Sequence, residues 1–277
     1  MSETLRHVRP ATAESLGQAP GRGRLEGRRI LVVGGGQRTF DAATDPVGNG
    51  RAMCVLFARE GAQVAVADIN LESARETLDL IQAGDGQGVA IAADVTSEPD
   101  VIRMVKEAAA ALGGLDGLVL NVGIFGQTGL KTFDLEEWDR VLNTNLRGPM
   151  LCCRHAVDRM DDDSSIVFMS SIAALKAGSQ LVPYDAAKAG LVGLARHMAL
   201  EGAKRGIRVN TVVPGLVDTP LGRLTTAGRP ERAKAMPPFG RQATGWEIAY
   251  AALFFLSDES AYVTAQWLAV DSGVSGL

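Results

Sequence analysis

A tyrosine and a lysine four positions apart, Tyr184 and Lys188, are the residues of this sequence best suited to acid–base chemistry. On a helix they lie on one face, one turn from each other. A neighbouring ammonium favours the phenolate, so the lysine is expected to lower the tyrosine pKa from its ordinary value near ~10 toward neutrality. An isolated pair with this spacing is usually a surface feature, so the rest of the chain has to support the interpretation.

Ser171 is the third residue of interest, because it follows the apolar run 166–169, which is typical of a buried strand. Its hydroxyl is therefore expected at the carboxyl end of that strand. Open α/β sheets bind their ligands at this end.

The composition indicates a soluble protein and gives no reason to expect a nucleic-acid or membrane partner. The 277 residues are 46% hydrophobic and 22% charged, with a net charge of −4. No apolar run approaches the ~18 residues of a membrane span. Residues 1–24 are polar and lack the apolar segment of a secretory signal, so we expect a flexible tail before a single domain over 25–277.

The cysteines give no reason to expect a disulfide framework. Cys54, Cys152 and Cys153 are odd in number, two of them are adjacent, and all fall in apolar helical patterns. Buried free thiols in a reducing compartment, the cytoplasm, are the expected state. No metal-ligand spacing is present, so no metal is expected.

The first part of the domain has the order of a dinucleotide-binding unit. The apolar run 29–33 enters a glycine-rich turn, a helix is predicted over 50–60, and a second strand over 64–68 ends in an acid. In such units the glycines let the backbone approach the pyrophosphate, which rests on the helix N-terminus, and the acid binds the ribose hydroxyls.

Asp68, the terminal acid, also bears on the choice of cofactor. A carboxylate at this position repels a 2′-phosphate, so NAD is favoured over NADP. Arg38, just before the helix, can still reach a phosphate. The alternative is that Asp68 caps the helix that starts at Leu71.

The glycine loop is unusually long. Residues 37–47 separate Gly36 from Gly48, whereas loops between a strand and a helix usually have about 2–6 residues. Our hypothesis is that the turn is kept at Gly35 and at residues 48–50, while the excess bulges over the edge of the cofactor.

The remaining chain continues the alternation of strands and helices. Strands are predicted over 89–95, 118–123, 207–215 and 267–271, and capping residues that start helices are Ser97, Asp134 and Thr244. Six or seven buried strands predict an α/β fold, a Rossmann-type doubly wound parallel sheet flanked by helices.

Two polar residues in this part have alternative explanations. Asp94, at the end of the third strand, is placed either to meet an adenine ring or to serve as a plain turn acid. Asn145 stands inside an apolar helix, where an inward-facing amide needs hydrogen-bond partners. It indicates a site, and the alternative is a helix irregularity.

In this order the motifs resemble those of the classical short-chain dehydrogenase/reductase family, over residues 25–273. The resemblance implies that Tyr184 exchanges a proton with the substrate oxygen, that Ser171 orients this oxygen, and that Lys188 holds the nicotinamide ribose. It implies that Asn145 supports a water that relays protons to Lys188. The cofactor contacts that it implies are Gly35, Gly48, Asn49, Gly50, Asp68, Asp94, Val95, Asn121, Gly123, Tyr184, Lys188, Pro214, Gly215, Val217 and Thr219.

The sequence departs from the family pattern at the long glycine loop and at three single positions. Leu120 stands where the family usually has Asn, Gly34 where it often has Thr, and Ser272 where it usually has Gly. None of these changes removes a catalytic group.

The function implied is an NAD-dependent oxidoreductase that interconverts a secondary alcohol and its ketone. The alternatives are an NADPH-dependent 3-oxoacyl-carrier-protein reductase, which Asp68 disfavours, and a non-catalytic cofactor sensor. A mostly apolar substrate pocket is expected from residues 124–125, 172–173, 180–183 and 216–240. Family members are commonly tetramers, and the helices around 145–160 and 186–205 are apolar enough to form a homotetramer.

Overall fold

A seven-stranded parallel sheet forms the centre of the structure. The computed structural model describes residues 8–41, 43–176, 179–226 and 237–277. The strands are β1 (Arg29–Val33), β2 (Gln63–Asp68), β3 (Gln87–Ala92), β4 (Leu115–Leu120), β5 (Met160–Met169), β6 (Arg208–Pro214), β7 (Val217–Asp218), β8 (Ala243–Thr244) and β9 (Trp267–Val270). The main sheet has the order β3-β2-β1-β4-β5-β6-β9, and β7 pairs with β8 separately.

Helices cover both faces of this sheet. They are α1 (Asn49–Arg59), α2 (Leu71–Ala83), α3 (Glu98–Leu112), α4 (Leu135–Leu142), α5 (Gly148–Ala156), α6 (Val182–Gly202), α7 (Pro220–Thr226) and α8 (Gly245–Leu256). One apolar core joins α3, α5 and α6 to the sheet, and a second joins α1, α2 and α8 to its other face. The predicted doubly wound α/β fold is therefore confirmed.

The strand order creates the place for a ligand. From β1 the chain runs outward through β2 and β3, then returns to add β4 on the other side of β1. The crossovers after β1 and β4 therefore leave in opposite directions, and a crevice opens at the carboxyl ends of these two strands.

The predicted helix starts are confirmed by their caps. The side chains of Ser97, Asp134 and Thr244 each accept a hydrogen bond from a backbone N–H in the first turn of α3, α4 and α8. The alternative role of Asp68 as the cap of α2 is wrong, because Asn70 caps that helix by accepting from Glu72 N and Ser73 N.

Residues 8–24 make specific contacts with the domain, which differs from the flexible tail expected over residues 1–24. Ser15 and Ala19 are each only 4% exposed, and Gly17 lies against the ring of Trp246. The contacts involve side chains more than 200 positions away, so no local pattern in the sequence indicates them. Residues 1–7 lie outside the described residues.

The three cysteines are free and buried, and burial raises the pKa of the Cys152 thiol to about 12.

In the described parts of the chain, no helix is both long and apolar enough to cross a membrane. The same parts contain no cluster of His, Cys, Asp and Glu arranged to hold a metal ion.

Candidate active site

The three residues predicted to do chemistry lie on the wall of one cleft. Tyr184 and Lys188 are in the first two turns of α6, and Ser171 follows the end of β5. The cleft has a volume of about 1340 Å³ and opens at the carboxyl ends of the strands. Ser171 also begins a short 3₁₀ helix, Ile172–Ala174, whose Ala173 N donates to its hydroxyl at 3.2 Å.

Lys188 is the buried cation of this cleft. It is 3% exposed, and its Nζ donates to the carbonyl oxygen of Met169 at 2.9 Å. The Nζ lies 5.6 Å from the centroid of the Tyr184 ring. The backbone is fixed as well, because Ser170 Oγ donates to the Lys188 carbonyl at 2.7 Å. Burial lowers the pKa of Lys188 to about 8.

Asn145 is fully buried, and it lies in a π-helical segment, Asn143–Arg147, between α4 and α5. Its Oδ1 accepts from Ile124 N at 2.8 Å and its Nδ2 donates to Ile124 O at 2.8 Å. The side-chain amide thus has its hydrogen-bond partners, and it fixes the segment that follows β4. The helix irregularity offered as the alternative is also present, as this π-helical segment. Single π turns often mark functional sites.

Most of the predicted cofactor contacts line the same cleft, and two predicted site residues do not. Gly35 is not on the wall, because its Cα faces Val66 and Cys54, where an added Cβ would lie 2.8–2.9 Å from their side chains. Gly34 and Gly36 line the cleft in its place. Asn145 lies outside the wall because both ends of its amide are directed at Ile124.

The long glycine loop is closed at its base by a side chain. Gln37 Oε1 accepts from Gly48 N at 2.7 Å, and Gln37 N donates to Ser73 Oγ at 2.6 Å. The two ends of the turn are therefore brought together although eleven residues separate Gly36 from Gly48. Of the residues described between 37 and 47, which exclude position 42, only Gln37 and Arg38 line the cleft. Neither Gln37 nor Ser73 has a sequence pattern that indicates this role.

Asp68 faces the glycine turn. Its Oδ2 accepts from Gly36 N at 3.1 Å and its Oδ1 accepts from Asn70 N at 3.0 Å. These bonds hold the carboxylate at the edge of the cleft, at the carboxyl end of β2. Arg38 lines the cleft close by, as the sequence allowed.

The segments that follow β3, β4 and β6 supply the rest of the predicted cofactor contacts. After β3, Asp94 and Val95 line the wall, and Asp94 Oδ1 accepts from the backbone and the hydroxyl of Thr96, both at 2.8 Å. Asp94 is thus a turn acid that also borders the cleft. After β4 and from the end of β6 onward, the wall includes Asn121, Gly123, Pro214, Gly215, Val217 and Thr219.

The wall next to Tyr184 is mostly apolar. The ring of Phe125 packs against the tyrosine ring, with 4.7 Å between centroids. The other apolar residues on this side are Ile124, Ile172, Ala173, Leu181, Leu216 and Leu221. Gln180, which the sequence placed in the pocket, and Lys176, which it did not indicate, add polar groups. Residues 227–236 of the expected pocket lie outside the described residues.

The residues present fit a dinucleotide. The cleft exceeds the ~300–1,000 Å³ of ordinary small-molecule pockets, and the N-terminus of α1 points its free amides at the glycine turn. Asn49, on the cleft wall, has a buried Oδ1 without a hydrogen-bond partner in the described structure. Such an orphaned polar atom calls for a ligand group or water.

Comparisons with known proteins identify the class to which this arrangement belongs. Residues 43–275 match a family model described as enoyl-(acyl carrier protein) reductase. A crystallised short-chain dehydrogenase/reductase from Serratia marcescens is 29% identical, with a TM-score of 0.83, and covers 91% of this chain and 100% of its own. The chain belongs to the short-chain dehydrogenase/reductase family of oxidoreductases, which use nicotinamide cofactors.

Two further relatives show the range of activities among similar proteins. The chain is 34% identical over 262 residues to 2-(S)-hydroxypropyl-CoM dehydrogenase 3 of Xanthobacter autotrophicus, covering 92% of this chain and 99% of the relative. It is also 34% identical over 253 residues to a 3-oxoacyl-(acyl-carrier-protein) reductase of Thermotoga maritima, covering 91% of this chain and 99% of the relative.

Proposed function

We propose that this protein is an NAD-dependent oxidoreductase that interconverts a secondary alcohol and its ketone. The observation that carries this function is the buried Lys188, whose Nζ lies 5.6 Å from the Tyr184 ring on a cleft wall shared with Ser171. A buried ammonium beside a phenol has its use in proton transfer, because it stabilises the phenolate. A sensor that only binds a cofactor needs no such pair.

Each residue of the group has a distinct task. Tyr184 is the general base that accepts the proton of the alcohol, or the acid that returns it to the ketone oxygen. Ser171 donates a hydrogen bond to that oxygen and orients it, and Lys188 binds the nicotinamide ribose and holds the tyrosine ionised. The bound nicotinamide supplies the site that accepts or donates the hydride. Asn145 acts indirectly, by fixing Ile124 at the substrate side; its side-chain amide is directed at Ile124, so we do not assign it the relay water that the family resemblance implies.

We expect NAD to be preferred over NADP by at least tenfold in kcat/KM, because the Asp68 carboxylate repels a 2′-phosphate. The change Asp68→Ser should narrow this ratio to about threefold or less. Steady-state kinetics at saturating alcohol, with NAD and then with NADP as the varied substrate, measures the ratio of the two kcat/KM values. Glu72→Gln is the matched control, since Glu72 is an exposed acid at the start of α2 that does not line the cleft. A wild-type preference for NADP would contradict the proposal.

The substrate class is tested with a panel of secondary alcohols of different size, offered with NAD while the absorbance of NADH is followed. The apolar wall around Phe125 supports uncharged alcohols with an apolar substituent. If the protein reduces only thioesters of an acyl carrier protein, and does so with NADPH, it is instead a 3-oxoacyl-carrier-protein reductase.

We expect the protein to be a cytoplasmic homotetramer. The resemblance to a family whose members are commonly tetramers supports this assembly, and Leu200 on α6 is 74% exposed. Sedimentation equilibrium should give the mass of four 29.1 kDa chains. The variant Leu200→Glu should have a smaller mass in solution than the wild type. A wild-type mass of one chain would contradict the tetramer.

A further inference from the structure

The N-terminal strap, residues 8–24, lies outside the range 43–275 matched by the family model, so membership of the family assigns it no role. It runs from the start of β1 across one face of the domain to the segment just before β8. We infer that the strap is a positioning element for the substrate side of the cleft, where it holds the wall formed by Leu216 and Val217 in place. This inference rests on the proposed function.

The first attachment of the strap is at the end of α1. Glu60 is only 1% exposed, and its Oε2 accepts from the backbone N–H groups of Arg22 at 2.9 Å and of Arg24 at 3.1 Å. The Arg59 guanidinium donates to Gly17 O at 2.7 Å and to Ala19 O at 3.1 Å. Hydrogen bonds that involve charged groups are the stronger ones, so this part of the strap has a fixed path.

The second attachment is at the N-terminus of α8. Ser15 Oγ donates to Glu247 Oε1 at 2.8 Å, and Thr244 Oγ1 donates to Ser15 O at 2.7 Å. Arg241 also pairs with Glu247, at 2.6 Å. Burial opposes ionisation of Glu247, but the hydrogen bonds from Arg241, Thr244 and Ser15 outweigh it and lower the Glu247 pKa to about 2. The strap thus joins a charged network around the start of α8.

The far end of the strap holds the anchor segment, residues 237–242, which leads into β8. Arg9 N donates to Phe239 O at 3.1 Å, and Arg241 Nε donates to Arg9 O at 2.9 Å. The Arg9 guanidinium lies 5.2 Å from the centroid of the Phe239 ring. Main chain and side chain of Arg9 therefore both contact the anchor segment.

The anchor segment is connected to the cleft through the short β7–β8 pair. Ala243 N donates to Leu216 O at 2.9 Å, and Val217 pairs with Ala243 in register. Leu216 and Val217 line the cleft beside the apolar substrate wall. A pair of two-residue strands is too short to be stable alone, so its position depends on what holds β8, namely the strap and α8.

The test compares the wild type with a variant that lacks residues 1–11, and with Arg9→Ala in case the truncated protein does not fold. We expect the truncation to raise KM for the alcohol by about tenfold, and Arg9→Ala to raise it by about two- to fivefold, as for loss of an exposed cation–π contact. The change in kcat should stay within about twofold, and the Kd of NADH should change by less than the KM for the alcohol, because Val217 is one of many predicted cofactor contacts. The matched control is Arg22→Ala, because among the described residues the Arg22 side chain pairs with the exposed Glu14, and its backbone bond to Glu60 remains.

Hydrogen–deuterium exchange of the cofactor-free protein separates this inference from the proposed function. Amide exchange at residues 216–218 should accelerate in Arg9→Ala and in the truncated variant, but not in Arg22→Ala. This readout needs no turnover, so it stands even if no alcohol is oxidised. Unchanged exchange at 216–218, or a KM that rises equally in Arg22→Ala, would overturn the positioning role. A cycle with Phe239→Ala completes the test, because the double variant should be no worse than either single change.

Discussion

Replacing Tyr184 with Phe should lower kcat by at least ~100-fold, the usual contribution of a general acid–base group. The phenol oxygen is the only atom removed, and the ring can keep its packing against Phe125, whose centroid is 4.7 Å away. Without the oxygen, no group at that position can accept the alcohol proton, although Lys188 stays buried beside it. Single-turnover and steady-state measurements of NADH formation give the effect directly.

The same variant should bind NADH with a Kd within about twofold of the wild type, because most of the predicted cofactor contacts lie at the glycine turn, at Asp68 and after β4 and β6. Fluorescence titration measures this affinity. Tyr250→Phe is the matched control, since Tyr250 is a partly buried tyrosine on α8 that does not line the cleft. Loss of NADH binding together with turnover would mean that Tyr184 is structural, and retained turnover would assign the proton transfer to another group.

The parts of the fold that the sequence predicts well are those governed by local patterns. Buried apolar runs identify the strands, and polar residues with an acid three positions later identify helix starts. The strand ends are less certain. The third strand ends at Ala92, and residues up to Val95 turn into the cleft. The fifth strand begins at Met160, well before its apolar run. The sequence misses this first part because it carries the exposed Asp161–Asp163, a polar run that is typical of a loop.

The sequence predicts the place of a residue on the cleft wall where the residue type marks it, as for Tyr184, Lys188 and Asp68. A role is predicted poorly where it depends on a partner that is distant in sequence. Gln37 closes the glycine turn only because Gly48 and Ser73 lie beside it in the fold. Gly35 belongs to the packing between β2 and α1, although its place in a glycine run makes it look like a phosphate contact.

Lys188 links the chemistry of the site to the stability of the protein. Its pKa in the folded state is about 8, against 10.5 for an exposed lysine, because burial disfavours the charged form. Below pH 8 the lysine is protonated in both the folded and the unfolded state, so the folded state carries the full cost of burying the charge. The pKa difference puts that cost at about 3 kcal/mol. The cost shrinks as pH rises from about 8 to 10.5 and is absent above that range.

Lys188→Met should therefore make the cofactor-free protein more stable while reducing turnover severely. The loss of the Nζ hydrogen bonds to Met169 O and, at 3.5 Å, to Val122 O, about 1–2 kcal/mol together, offsets part of the gain. A net rise of roughly 1–2 kcal/mol, or ~2–6 °C in Tm, is expected at pH 7. Urea unfolding at pH 7 and at pH 9.5 measures the free energy of unfolding of the wild type and of the variant. The stability gain of the variant should be smaller at the higher pH. Lys106→Met, at an exposed position of α3, is the matched control.

A stability that falls in Lys188→Met at pH 7 would mean that the hydrogen bonds to the carbonyls of Met169 and Val122 outweigh the cost of burying the ammonium. A gain that stays constant between pH 7 and pH 9.5 would mean that the lysine does not titrate in that range. The predicted combination, higher stability with turnover reduced by ~100-fold or more, follows from a single cause. In the proposed mechanism, the charge that is costly to bury in the folded protein is the one that stabilises the tyrosine phenolate, so stability and catalysis make opposite demands on position 188.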